Sequence, residues 1–267
     1  MTPEPRTEDH RRVEADGVTM YVDAVGEGEP LVLLHGGMAS NLGWLAQIDD
    51  FSARFRVIAP ERPGHGHAPD IDGPYRYEAM AEATAALLVA LALPPAHLVG
   101  WSDGGIIALL MAIHHPETVA KVVVFGANSA STGYVPGGTD TLTEAPADGE
   151  LVAGFRALYD PVSPDGPDHF PVVWEKVRAL WSEPFDFTPE LASIEAPTLV
   201  MVADDDLVTI EHATEMYRTL PRGELAVLPG VSHAAPLERP SLFNRLVLDF
   251  LSDPPTTLLM PQRRAPG

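Results

Sequence analysis

One segment limits the folds open to this chain more than any other. LVGWSDGGIIALLMAIHHP, residues 98–116, is an apolar run that stops on Gly100-Trp101-Ser102-Asp103-Gly104 and passes straight into a helical pattern. A strand that turns into a helix within a few residues needs a sheet for the strand and a packed face for the helix. The two glycines permit the sharp turn, because Cβ atoms there would collide with neighbouring backbone. The turn leaves a serine hydroxyl exposed at the strand end. The following helix start aims N–H groups and the positive end of its dipole at the same spot.

The rest of the chain repeats the unit. Short apolar runs read as strands at 18–24, 31–35, 56–59, 97–101, 121–125, 198–202 and 224–228, and helical patterns fall at 77–93, 104–115, 210–220 and 241–251. Strands alternating with helices predict an α/β fold with a mostly parallel central sheet and helices on both faces. The alternation breaks at Asn128 and resumes near Pro197. A break of that length predicts a helical insertion, placed as a lid over the strand ends where ligands bind. The expected division is an N-terminal extension (1–14), a core (15–127 and 193–252), the lid (128–192) and a disordered tail (253–267). No internal repeat is present.

Composition narrows the function classes. Seventeen Lys and Arg stand against 38 Asp and Glu, a net charge of −21, which disfavours nucleic acid and anionic membranes as partners. There is no cysteine, so disulfides, thiolate metal sites and a cysteine nucleophile are excluded. The start, MTPEPRTEDHRR, lacks the apolar stretch of a secretory signal, and cytoplasmic location is the expectation. The chain is expected to act as a monomer or small homo-oligomer on a small molecule.

A serine at its ordinary pKa needs a base, and the base needs an orienting acid. His233, in LPGVSHAAPLERP after the last strand, is the candidate base. Asp204, Asp205 and Asp206 follow the strand at 198–202, and one of them is the candidate acid. Only one of three adjacent carboxylates can sit buried against an imidazole. A tetrahedral oxyanion needs two donors: the Asp103 N–H comes with the turn, and LVLLHGGMAS offers Gly37, or alternatively Met38. His35 orders that loop rather than acting in chemistry. A competing reading makes His65, His67 and Asp70 metal ligands, but H-x-H-x-x-D lacks the further ligands of a metallohydrolase, so no metal and no cofactor is expected.

With these residues assembled, the chain resembles the α/β-hydrolase superfamily over residues 15–252. His35-Gly36-Gly37 is similar to its oxyanion loop and Glu61-Arg62-Pro63-Gly64-His65-Gly66 to its D-x-x-G-x-G segment, with Glu for Asp. Ala203-Asp204-Asp205-Asp206 stands where the family has G-D-x-D, with Ala for Gly, and this selects Asp206. Gly230-Val231-Ser232-His233 matches its G-x-x-H. More narrowly, GWSDGGIIAL, VVVFGANSA and PTLVMVADDDLVTIEHA resemble the biphenyl-hydrolase-like (valacyclovir hydrolase) group. That resemblance implies hydrolysis of small carboxylic esters, with Asp103 as a substrate-binding residue for an α-ammonium group. A serine at the turn argues against the haloalkane dehalogenase and epoxide hydrolase branches. Lactonase, thioesterase, amidase and C–C bond hydrolase share the same triad, and a non-catalytic binder shares the same fold.

From Ser131 to Ala192 the chain carries eleven acids and three bases, a net charge of −8. A negative lid disfavours anionic substrates. Phe155, Tyr159, Trp174 and Trp181 fall on its helical patterns, where packing of the lid on its body is their simplest use.

Overall fold

The computed structural model describes residues 8–252 and 259–260. Its centre is an eight-stranded sheet: β1 (Glu8–Ala15), β2 (Val18–Val25), β3 (Pro30–Leu34), β4 (Arg56–Glu61), β5 (Ala96–Trp101), β6 (Val119–Phe125), β7 (Thr198–Asp205) and β8 (Gly223–Ser232). The spatial order is β1-β2-β4-β3-β5-β6-β7-β8. β3 to β8 run parallel, and the β1–β2 hairpin joins antiparallel at the edge.

Successive residues of the central strands serve opposite faces, the period-two signature of a sheet covered on both sides. Val32 and Leu34 belong to the core on the face covered by α2 (Tyr77–Ala90), α3 (Asp103–His114) and α7 (Ile210–Thr219). Leu31 and Leu33 pack with α1 (Leu45–Ser52) and α9 (Pro240–Leu251). The same alternation recurs at Val122–Phe125 and Leu199–Ala203. The expected α/β architecture with helices on both faces is therefore what forms.

Two elements were not expected. Residues 8–14, set aside as an extension, form most of the edge strand β1, so the sheet begins seven residues before the expected boundary. Its charged sequence EDHRRVEA lacks the apolar alternation of a half-buried strand. Helix α1 is short, and only Gln47, Phe51 and Ser52 are buried in it. The expected disordered tail, 253–267, lies outside the described residues apart from Leu259 and Met260.

Between β6 and β7 the chain leaves the sheet and forms α4 (Asp140–Thr143), α5 (Ala153–Tyr159) and α6 (Phe170–Ser182). Its two ends are tied together where they leave and rejoin the core. Phe187 N donates to Ser129 O at 2.9 Å, Ser131 N donates to Phe185 O at 2.9 Å, and the Ser129 and Thr188 hydroxyls are 2.7 Å apart. Stacked or edge-on rings of Phe155, Phe170, Tyr159 and Trp174 give the excursion its own aromatic core. It docks on the loop after β4 through Asp70, which accepts from Lys176 Nζ at 2.6 Å and from Tyr75 OH at 2.5 Å and lies 2.8 Å from His169 Nε2. A short helix, α8 (Ala235–Glu238), links β8 to α9. Among the described residues no helix is long and apolar enough to cross a membrane.

Candidate active site

The sheet reverses its winding between β3 and β5, the kind of crevice in which open α/β sheets bind ligands. The loops carrying His35–Met38 and Ser102 leave from these two neighbouring strands, whose Leu34 and Gly100 are register partners. Asp206 and His233 follow the neighbouring pair β7 and β8, where Asp205 and Ser232 are partners.

Ser102 stands before the first residue of α3 with φ 56° and ψ −123°, a conformation that non-glycine residues rarely occupy. The surroundings hold it there. Ser102 N donates to Phe125 O at 2.9 Å, while Ser102 O accepts from Gly105 N at 2.8 Å and Ile106 N at 3.2 Å. A Cβ on Gly100 would stand 2.3 Å from Gly104 O, and one on Gly104 would stand 2.0 Å from Leu34 O. Both glycines are thus fixed by backbone crowding.

Of the three adjacent acids, only Asp206 meets His233. Its Oδ1 lies 2.6 Å from His233 Nδ1, and its side chain is wholly buried. Leu207 N donates to the same oxygen at 2.7 Å and Ala203 N to the other at 3.0 Å. Asp204 points elsewhere and accepts from Gly230 N at 2.8 Å; Asp205 is exposed. An ionised carboxylate only accepts, so opposite one a neutral imidazole here would carry its proton on Nδ1 and leave the Nε2 lone pair free, the arrangement a general base needs. Trp101 Nε1 fixes the His233 backbone by donating to its carbonyl at 2.8 Å. Beneath the ring lies Gly126, where a Cβ would stand 2.7 Å from Nδ1.

The loop after β3 abuts the serine: a Cβ on Gly36 would stand 3.3 Å from Ser102 Cβ. His35 Nδ1 lies 2.7 Å from Gly36 O, and its Nε2 accepts from Arg62 N at 3.3 Å. Burial, followed by the positive charge of Arg62, holds the His35 pKa well below the usual imidazole range. It is a neutral strut, as its place in the loop suggests. Met38 adopts φ 52°, and Gly36 O accepts from Ala39 N at 3.4 Å, closing a turn through Gly37 and Met38. Among the described residues neither Gly37 N–H nor Met38 N–H has an acceptor. Asp103, as the first residue of α3, has an N–H without a helical partner.

The Asp103 carboxylate is itself buried, accepting from Tyr77 OH at 2.9 Å and from Trp181 Nε1 at 3.1 Å. Burial, then the charge of Asp103, pushes the Tyr77 phenol well above its ordinary pKa. Trp181 comes from α6, 78 residues away, and also lies over Gly37: a Cβ there would stand 2.5 Å from its ring and from Asp103 Oδ2. Trp181 also lines a cavity of about 540 Å³ together with Ser182 and residues that fall between Ser131 and Thr143. These aromatic partners were not foreseen, since nothing in the spacing of Tyr77 and Trp181 relates them to the serine turn.

His65, His67 and Asp70 do not converge as ligands. His65 Nδ1 lies 2.9 Å from Pro63 O, His67 Nδ1 lies 2.9 Å from Glu61 Oε2, and Asp70 faces Lys176.

A family model described as the alpha/beta hydrolase family matches residues 31–246. The chain is 28% identical over 265 residues to a 2-hydroxy-6-oxo-6-phenylhexa-2,4-dienoate hydrolase of Burkholderia cepacia, covering 88% of this chain and 91% of that protein. It is 29% identical over 262 residues to the human serine hydrolase BPHL, covering 90% and 85%. Among solved structures, Est816, described as an N-acyl homoserine lactone degrading enzyme, superimposes with a TM-score of 0.75 at 28% identity, over 90% of this chain and all of that one. With the family model matched over most of the chain, and the strained turn at Ser102, the buried Asp206–His233 pair and the loop after β3 meeting at the strand ends, the chain belongs to the alpha/beta hydrolase family and is similar to serine hydrolases within it.

Proposed function

We propose that the chain hydrolyses small carboxylic esters through an acyl-enzyme intermediate. The observation that carries this reading is the buried Asp206–His233 pair at 2.6 Å, next to the strand end that presents Ser102. Ser102 Oγ attacks the ester carbonyl while His233 Nε2 takes its proton. The amides of Gly37 and Asp103 receive the negative charge that develops on the carbonyl oxygen, with Met38 the alternative to Gly37. The tetrahedral species collapses, His233 returns the proton to the leaving alcohol, and the acyl group stays on Ser102. Water, deprotonated by His233, then attacks the acyl-serine; as the second tetrahedral species collapses, the imidazolium returns the proton to Ser102 Oγ and the acid leaves. Asp206 holds the imidazole in its tautomer and stabilises the imidazolium.

Replacing Ser102 by Ala tests the reading. The variant is expected to keep its circular dichroism spectrum and lose turnover of p-nitrophenyl acetate and butyrate. Undiminished turnover would overturn it, as would a wild-type serine inert to fluorophosphonate. A lactone substrate is the second reading, favoured by the likeness to Est816. Amino-acid esters are the third, following from Asp103 beside the nucleophile. Profiling acyl and leaving groups on wild type and Asp103→Ala separates them: loss confined to amino-acid esters assigns Asp103 to the substrate.

A further inference from the structure

We infer that Arg62 is the positioning residue of the oxyanion loop, and that its guanidinium sets the direction of the Gly37 N–H. The inference rests on the serine-hydrolase reading above and adds a residue to it. Arg62 follows β4, not the strands that carry Ser102 or the loop, and its side chain is almost wholly buried. Nη1 donates to His35 O at 2.6 Å and Nη2 to Gly36 O at 3.1 Å, so one planar fork holds two successive carbonyls. Its own backbone N–H donates to His35 Nε2 at 3.3 Å, which fixes the ring whose Nδ1 meets Gly36 O.

The consequence follows from peptide geometry. In a trans peptide the C=O of one residue and the N–H of the next point in opposite directions. The Gly36 carbonyl is drawn toward Arg62, so the Gly37 N–H must point away from it. That N–H has no acceptor among the described residues, on a loop that abuts Ser102. The same rule directs the Gly36 N–H away from the His35 carbonyl.

A guanidinium is suited to this place because lysine offers one charged atom and no fork. Arg62 also supplies positive charge beside Asp103, whose carboxylate would otherwise oppose a nearby oxyanion. The two groups interact electrostatically, the aspartate favouring the charged form of the arginine against the larger effect of burial.

Arg62→Lys and Arg62→Met test the inference, assayed with p-nitrophenyl butyrate and with a trifluoromethyl ketone that forms a tetrahedral adduct. Both variants are expected to lose about 100-fold in kcat, the scale of one misplaced oxyanion donor. KM should stay within about threefold, and inhibitor affinity should weaken in parallel with kcat. Arg62→Lys keeps the charge and guards against a Met variant that does not fold. A folded Arg62→Lys with wild-type kcat, or one whose loss lies in KM while the inhibitor binds as before, overturns the inference. An inactive wild type would instead overturn the ester reading itself.

Discussion

Asp206 and His233 meet across the ends of two adjacent strands, with Nδ1 2.6 Å from Oδ1 and the carboxylate sealed from solvent. Two backbone amides also donate to that carboxylate at 3.0 Å or less, so the acid cannot swing away from the ring. Asp206→Asn keeps the shape but offers an amide that can donate, favouring the wrong imidazole tautomer. Steady-state assays should show kcat/KM reduced by roughly 10³ to 10⁴ at neutral pH. Asp205→Asn, on an exposed side chain, should change it less than threefold. Equal effects at the two positions would place the acid elsewhere.

A second prediction concerns pH. His35, His65 and His212 are buried, and burial lowers the pKa of each, that of His65 to about 3. In the unfolded chain each titrates near 6.5, so the unfolded state takes up protons first as pH falls. Stability is therefore fully present above about pH 6.5 and is lost below it, by at most about 1.4 kcal/mol per pH unit for each group. His212 Nε2 accepts from Ser129 N at 3.0 Å, at the point where the insertion leaves β6. His212→Gln can still accept but does not titrate. Urea unfolding at pH 7.5, 6.5 and 5.5 should show stability falling with pH in the wild type and a shallower slope in the variant. A wild type equally stable at pH 7.5 and 5.5 contradicts this.

The third prediction tests how the excursion is held to the core. Burial raises the pKa of Asp70, but hydrogen bonds from Lys176, Tyr75 and His169 outweigh it and hold the carboxyl below its usual value. Asp70 also donates its N–H to Asp165 at 2.7 Å, so one residue anchors contacts from the segment before α6 and from α6 itself. Asp70→Asn leaves Lys176 without its charged partner. It should cost about 1 to 3 kcal/mol in urea unfolding. Limited proteolysis should cut between residues 131 and 169 several-fold faster than in the wild type. Unchanged stability and cleavage would show that Asp70 does not fasten the segment.

The parts of this arrangement written locally were legible in the chain. Ser102 was readable because a strand, two glycines and a helix must coincide within a few residues, and His233 because it follows the last strand. Composition could not separate Asp204, Asp205 and Asp206; burial does, and only family resemblance selected Asp206 beforehand. β1 escaped because an edge strand has little apolar alternation to show. Its signal lay in Asp16-Gly17, both at positive φ, which form the two-residue turn that Asp-Gly favours between antiparallel strands. Tyr77 and Trp181 were out of reach for a different reason. They meet Asp103 from 26 and 78 residues away, a relation set by how α2 and α6 pack. Arg62 lay inside a segment quoted for its glycines, where its buried fork leaves no mark in the spacing.

The last prediction concerns the charge of the substrate. The cavity of about 540 Å³ beside Trp181 is lined by Ser131, Thr132, Tyr134, Thr139, Thr143 and Asp140, with Val135 and Pro136 among them, and by no Lys, Arg or His of the described residues. Arg178 reaches the Thr143 carbonyl, but another arm of its guanidinium is paired with Glu175. An acyl chain reaching from Ser102 into this cavity would meet the exposed Asp140 carboxylate, the one charged side chain among its lining residues. At an effective dielectric near 20 to 40 and about 6 Å, that is roughly 1 to 3 kcal/mol, about tenfold or more in rate constant. Wild type should therefore cleave a p-nitrophenyl ester with a trimethylammonium-tipped acyl chain at least tenfold more efficiently than one of equal length ending in carboxylate. The ratio should shrink as salt is added. Asp140→Lys should bring it to unity or reverse it, while p-nitrophenyl butyrate, which carries no charge, reports the unaltered chemistry of the serine. If the ratio is the same in both proteins while butyrate is turned over normally, the acyl chain does not occupy the cavity, and the acidity of residues 131–192 acts only through solvent.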